Sequence, residues 1–249
     1  MLSIDNAFSE QDIEAFDLSK EPGDIKAKYG DNGFGRGCLL ARHLIEKNVR
    51  FVDISHGGWD THDDNFNRLK ETAGMLDQGL SALIADLQSR GLLDDTLICV
   101  VSEFGRTPDI NRTSGRDHFP KCFSAFLAGG GLKGGNAYGK TSPDGQEIAE
   151  NKIGIPDLNA TIAYGLGLPI DKVITSPDGR PFTIAHKGKP ITEAVADAVK
   201  SELIRARRTS DAGARRREVR RLVEALHRLP RVGPPLTDQD LYDEDGFPK

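Results

Sequence analysis

The chain has 249 residues, a net charge of −5 and an isoelectric point near 5.7. That length suits one sizeable α/β domain, or one domain with an appendage, better than two full domains. The acidic balance excludes a general attraction for nucleic acid, so any basic patch must be local.

Three cysteines, Cys38, Cys99 and Cys122, stand far apart without a CxxC pair and read as buried free thiols, so no disulfide framework is expected. The opening MLSIDNAFSEQDIEAFDLSKEP lacks a basic stretch leading into an apolar core, and no run reaches transmembrane length. As it stands, the chain reads as soluble, unexported and therefore cytoplasmic, with no membrane partner.

Residues 1–15 read as a peripheral segment with a short helix over Phe8 to Ala15, followed by an irregular stretch punctuated by Pro22, Gly23, Gly30, Gly33, Gly35 and Gly37. From Cys38, the run CLLARHLIEKN places Leu39, Leu40, Leu44 and Ile45 on one helical face. His43 on that helix has no second ligand at helical spacing and reads as a packing or solvated residue.

The next stretch, VRFVDISHGGWDTH from Val49 to His62, combines strand and loop character. Val49, Phe51, Val52 and Ile54 predict a strand, Gly57 and Gly58 allow a turn, and His56, Asp60 and His62 crowd the loop that follows. In an open parallel sheet such loops lie at the carboxyl edge, where ligands bind. The plain alternative is a glycine turn with solvated polar residues.

Phe66, Leu69, Ala73, Leu76, Leu80, Leu83, Ile84 and Leu87 recur at threes and fours, predicting a long amphipathic helix that ends by Gly91. Asp94 and Asp95 mark a turn, and Thr96 to Val101 is an apolar, β-branched run with the signature of a buried parallel strand. Strand, helix and strand joined by a right-handed crossover would place both following loops on one sheet edge. The second loop begins SEFGR, with Ser102, Glu103 and Arg106, and continues to the adjacent Asp117 and His118. Carboxylates and imidazoles gathered this way suit zinc or a harder divalent cation. A surface loop whose acids pair with Arg112 and Arg116 is the alternative.

Farther on, Phe123 to Ala128 predicts a third strand, and the glycines from Gly129 to Gly135 form a tight loop without a P-loop lysine or a spaced dinucleotide fingerprint. Residues Gly139 to Asn151 read as a hairpin or excursion, Pro156 to Leu166 as a helix begun by proline, and PDGRPF as a turn. His186 reads as a surface residue. From about Thr192 the composition shifts, and residues 196–249 read as a helical tail, with Ala212 to Leu229 helical and an acidic end. Arg215, Arg216, Arg217, Arg220 and Arg221 could give that tail weak, salt-sensitive binding to nucleic acid or to an acidic partner.

The order GWDTH, a long helix, LLDDTLICVVSEFGRTP, GRDHFP and AGGGLKGG closely resembles the family catalogued as domain of unknown function 1501, over about Phe16 to Ile191. That family in turn resembles the alkaline phosphatase and sulfatase superfamily, whose members hydrolyse phosphate or sulfate esters at one or two metal ions, and its members often carry an export signal. The resemblance implies an α/β domain over residues 16–195, a mostly parallel, doubly wound sheet flanked by helices. It also implies that this is the carboxyl-terminal portion of a longer member, lacking amino-terminal strands and the nucleophile.

By the same resemblance Asp60, His62, Glu103, Asp117 and His118 would ligate a divalent metal, whether zinc, calcium or magnesium. Arg106 would hold an anionic oxygen of a small phosphorylated or sulfated ester. Asp60 and His62 are separated by one residue where the superfamily usually has three, and Phe104 stands where its second motif expects histidine. These departures fit a single metal or an altered site better than a two-zinc pair. The implied function is a metal-dependent ester hydrolase-like domain; the alternative is a non-catalytic binding or scaffold domain that keeps the fold.

Overall fold

The computed structural model describes residues 14–130 and 132–194. The first thirteen residues, most of the expected Phe8 to Ala15 helix, and the tail over 196–249 with its Ala212 to Leu229 helix lie outside the described residues.

Three helices build the core: α1 (Gly23–Tyr29), α2 (Gly33–Glu46) and α3 (Asn65–Ser89). Helix α2 starts five residues before the apolar run, because Asn32 caps it by accepting from the Gly35 N–H at 2.8 Å. Tyr29, Cys38, Leu39, Leu83 and Leu87 interlock as the buried centre, with Phe34, Ile45, Ile54 and Ile98 packed around them. The helices meet where side chains are smallest. A Cβ on Gly35 would stand 2.1 Å from the Tyr29 carbonyl oxygen, and one on Gly79 would stand 2.9 Å from the Phe34 ring. Burial pushes the Cys38 thiol up to about 12, which keeps it protonated and inert.

Beneath this apolar centre lies a buried charge network. Arg42, 2 % exposed, points three guanidinium nitrogens at three carboxylates. Nη1 donates to Glu46 at 3.1 Å, while Nη2 and Nε lie 2.8 Å from Glu21 and 3.1 Å from Asp86, off the line of a good hydrogen bond. Asp86 also accepts from the Tyr29 hydroxyl at 2.9 Å, and His43 sits 2.8 Å from Glu21, so His43 is a packing residue with a partner. Burial works against the charge on Glu21, yet contact with Arg42 outweighs it and holds the carboxyl below its ordinary range. Its contribution to stability is therefore present above the ordinary glutamate range and lost as pH falls through the lowered value.

Removing Arg42 leaves Glu21 with His43 alone, while Glu46 and Asp86 keep Arg90 at 2.7 and 2.8 Å. Arg42→Ala should cost about 1–3 kcal/mol in chemical denaturation, whereas Arg42→Met, which refills the volume, should cost less and flatten the acid limb of the stability curve. Equal stability of Arg42→Ala and wild type would refute this account.

Among the described residues the strands are short and every ladder is antiparallel. β1 (Leu97–Val100) pairs with β4 (Phe126–Gly129), and β2 (Gly105–Arg106) pairs with β3 (His118–Phe119). β5 (Lys140–Thr141) pairs with β6 (Ile148–Glu150) as the expected hairpin, and β7 (Val173–Thr175) pairs with β8 (Pro181–Thr183) around the PDGRPF turn. Between the last two pairs lies α4 (Ile155–Gly165), with Pro156 and Asp157 in its first turn as expected. His186 is exposed, in agreement with its surface reading.

Two expectations meet a different arrangement. Over residues 51–56, exposure alternates as in a strand, with Val52, Ile54 and His56 turned inward, but the segment forms no ladder among the described residues. The crossover expected between it and β1 is accordingly not among the described pairings. Cys99 is exposed and Cys122 only half-buried, which corrects the expectation of three buried thiols. Period 2 is the reason: Ile98 takes the inward position of β1, so Cys99 faces the other way.

Candidate metal centre

The loop after residue 56 is anchored before it reaches its acids. His56 places Nε2 3.0 Å from the Thr72 carbonyl on α3, and its ring lies 4.5 Å from Phe34 and edge-on to Trp59 at 5.5 Å. Next, buried Thr61 donates to Asn65 at 2.7 Å, in the first turn of α3. Asp60 and His62 flank Thr61 and project outward, with side chains 67 % and 44 % exposed.

A second loop, residues 107–117, closes against the first. Arg116 N–H donates to the Thr61 carbonyl, and the N–H groups of Asp64 and Asn65 donate to the carbonyls of Thr113 and Ser114. Asn111 is the hub. Its Oδ1 accepts from the N–H groups of Thr113 and Gly115, while Nδ2 donates to the His62 carbonyl at 2.9 Å and to Asp117 at 3.1 Å. The β2–β3 ladder then sets Arg106 directly opposite His118.

The result is a triangle of potential ligands. Asp60 Oδ1 lies 3.1 Å from His62 Nε2 and 3.1 Å from His118 Nε2, and the two Nε2 atoms are 3.2 Å apart. Tetrahedral zinc with bonds of about 2.0–2.1 Å has ligand edges of roughly 3.3 Å, so this donor set fits one face of such a site. Asp117 is not a corner. Its carboxylate takes the other ring nitrogen, lying 2.8 Å from His62 Nδ1. A carboxylate only accepts, so the network assigns a proton to Nδ1, and it is then Nε2 that can offer a lone pair to a cation. His118 Nε2 faces that nitrogen and the Asp60 oxygen; the middle of the triangle calls for a proton or a cation.

Arg106 supplies the neighbouring positive charge, with Nη2 2.8 Å from Asp60 Oδ1 and Nη1 only 3.4 Å from the Arg116 carbonyl. Arg106 and then His118 hold the Asp60 carboxyl below its ordinary value, and His62 followed by Asn111 does the same for Asp117. Phe104 does not ligate. Its ring packs on His118 at 4.3 Å and steadies the imidazole from one side.

Of the residues expected at the site, Asp60, His62 and His118 converge, and Arg106 and Asp117 touch them. Glu103 stands outside the triangle and has no hydrogen bond or ion pair among the described residues. Asn111 is the functional-site residue that the sequence reading missed. Its signal was local, since the NRTSG stretch has the side-chain-to-backbone turn chemistry of asparagine with a glycine four residues on.

A family model described as "Protein of unknown function (DUF1501)" matches residues 3–195. The chain belongs to this family. A second model, described as "Rv0623-like transcription factor", matches residues 184–248, so the carboxyl-terminal stretch of this DUF1501 member is similar to that group. No curated protein and no solved structure matches the chain. Among the described residues no helix is long and apolar enough to cross a membrane.

Proposed function

We propose that this DUF1501 member is a metal-dependent hydrolase-like domain for phosphate or sulfate esters, with Asp60, His62 and His118 as ligands of one divalent cation. The observation that carries this reading is the triangle of Asp60 Oδ1 and two imidazole Nε2 atoms at 3.1–3.2 Å. The likeness of its motifs to the alkaline phosphatase and sulfatase superfamily supports the substrate class, and a mostly parallel sheet is proposed on the same ground.

A divalent cation here would act as a Lewis acid on an ester oxygen and offset charge built up in the transition state. Around it, Asp117 fixes the His62 tautomer and Phe104 fixes the His118 plane. The weakly engaged Nη1 of Arg106 leaves N–H donors for a non-bridging oxygen, a role that its planar fork suits. With zinc supplied, 4-nitrophenyl phosphate or 4-nitrophenyl sulfate should turn over, chelation should abolish it, and Arg106→Lys should lower kcat/KM by about tenfold or more. Stoichiometric zinc without turnover of either ester would favour the scaffold alternative.

A second reading concerns the tail. The match over residues 184–248, together with Arg215, Arg216, Arg217, Arg220 and Arg221, supports nucleic-acid contact by this stretch. Binding of a DNA duplex should weaken steeply with added salt, and neutralising these arginines should flatten that dependence. Binding that ignores salt would sink it.

A further inference from the structure

Beside the ligand triangle lies a cavity of about 290 Å³. Three residues join it to the triangle: Phe104, whose ring packs on His118, Arg106, which is bonded to Asp60, and Thr61, which lies between Asp60 and His62 in the chain. An anion held at the triangle can place its organic group in this cavity. Flat or apolar walls come from Trp59, Leu69 and Phe104. Thr61, Ser102 and Arg116 add polar groups already engaged in hydrogen bonds, and polar ends come from Asn65, which is 3 % exposed, and from Glu103, which is exposed.

These polar ends are unspent. The Asn65 carboxamide takes Thr61 at its Oδ1 end, and its Nδ2 end has no partner among the described residues. The Glu103 carboxylate and the Trp59 indole N–H likewise have no hydrogen-bond partner among them. A plain aryl ring would cover the buried Asn65 amide and leave it unpaired, which is costly for a buried polar atom. A ring that carries hydroxyls would lay a C–H face on the aromatic walls and still pair the amide, the carboxylate and the indole. The volume lies at the lower end for small-molecule sites and suits one ring rather than a chain of them.

We infer that this cavity is the subsite for the organic part of the ester, and that it selects a single hydroxyl-bearing ring, as in a monosaccharide phosphate or sulfate. The inference rests on the ester-hydrolase reading for the position of the anion, while the ring site stands on its own residues. Glu103 is here a specificity residue that accepts from ring hydroxyls, not a metal ligand.

Trp59 is the single tryptophan of the chain, so its fluorescence reports on the cavity without a label. The full chain with zinc is titrated with glucose 1-phosphate, phenyl phosphate and inorganic phosphate. Glucose 1-phosphate should half-saturate the signal at a concentration at least about tenfold below either of the others, because only it pairs the cavity's polar ends. Glu103→Gln should raise that half-saturation by about tenfold while leaving zinc stoichiometry and the response to inorganic phosphate unchanged.

Phenyl phosphate binding as tightly as the sugar ester would overturn the inference, as would zinc loss in Glu103→Gln. Methyl α-glucoside, a ring without an anion, separates the two readings. If zinc fails to bind but the glucoside still saturates the Trp59 signal and Glu103→Gln weakens it, the ring site stands and the metal centre falls. If zinc binds and neither sugar probe changes the signal, the ring site falls and the metal centre stands.

Discussion

Zinc raises the unfolding midpoint of the wild-type chain, and His118→Ala or Asp60→Ala abolishes that rise: this is the expected result if the triangle is a metal centre. At a free zinc concentration about a hundredfold above Kd, the gain in stability is about 2.7 kcal/mol. Loss of one corner from three leaves two donors and should weaken binding by more than about a hundredfold, beyond the ten- to hundredfold typical of removing an outer partner. Asp117→Ala is the outer-partner case here. It frees Nδ1 of His62, lets the proton move to Nε2, and should weaken zinc without abolishing it.

Acidification should act in the same direction in all forms, since ligands must shed protons to bind and affinity falls as pH falls. Without metal, the exposed ion pairs at Asp60 contribute little, so the variants should melt close to wild type. That contrast separates a metal centre from an ordinary surface network. A zinc-dependent midpoint shift that persists in both corner variants would show that the ion sits elsewhere.

How far the sequence carries depends on which force places each residue. Helices α2 and α3 were legible because their burial repeats at threes and fours, and the start of α2 was not, because the Asn32 cap begins it ahead of Gly33, Gly35 and Gly37, which read as breakers. β1 and β4 were legible as apolar runs, but pairing partner and direction are long-range choices that no local pattern encodes. The segment over 51–56 shows this limit, with strand-like alternation and no ladder among the described residues.

At the site, residue types announced the ligands, and Asp60, His62 and His118 do converge. Their division of labour was not legible. Adjacent in sequence, Asp117 and His118 fall on opposite sides of His62, because His118 opens β3 opposite Arg106 while Asn111 pulls Asp117 toward Nδ1. Glu103 looked like a ligand by motif, yet it follows β1 by three residues and faces the cavity instead.

The last expectation concerns the clamp that brings the two loops together. Gly115 is buried with its Cα against the first loop, and a Cβ there would stand 1.9 Å from the His62 carbonyl oxygen and 2.5 Å from the Asp63 nitrogen. Both neighbours are backbone, so no side chain can swing away to make room. Gly115→Ala must push residues 61–65 from residues 111–116 and break the hydrogen bonds that Asn111 and Thr113 make to His62. A cost of about 1–3 kcal/mol follows from overpacking a fitted contact, and zinc affinity should drop with it because His62 loses its register with His118. Gly74→Ala is the matched control. Gly74 lies within α3 with nothing within 4 Å of an added Cβ, so alanine there should stabilise by roughly 0.5–1 kcal/mol through helix propensity. Opposite signs in urea denaturation, with zinc affinity changed only in Gly115→Ala, are the outcome that the clamp requires; a Gly115→Ala chain with wild-type stability and zinc affinity would mean that the loops are not held by this contact.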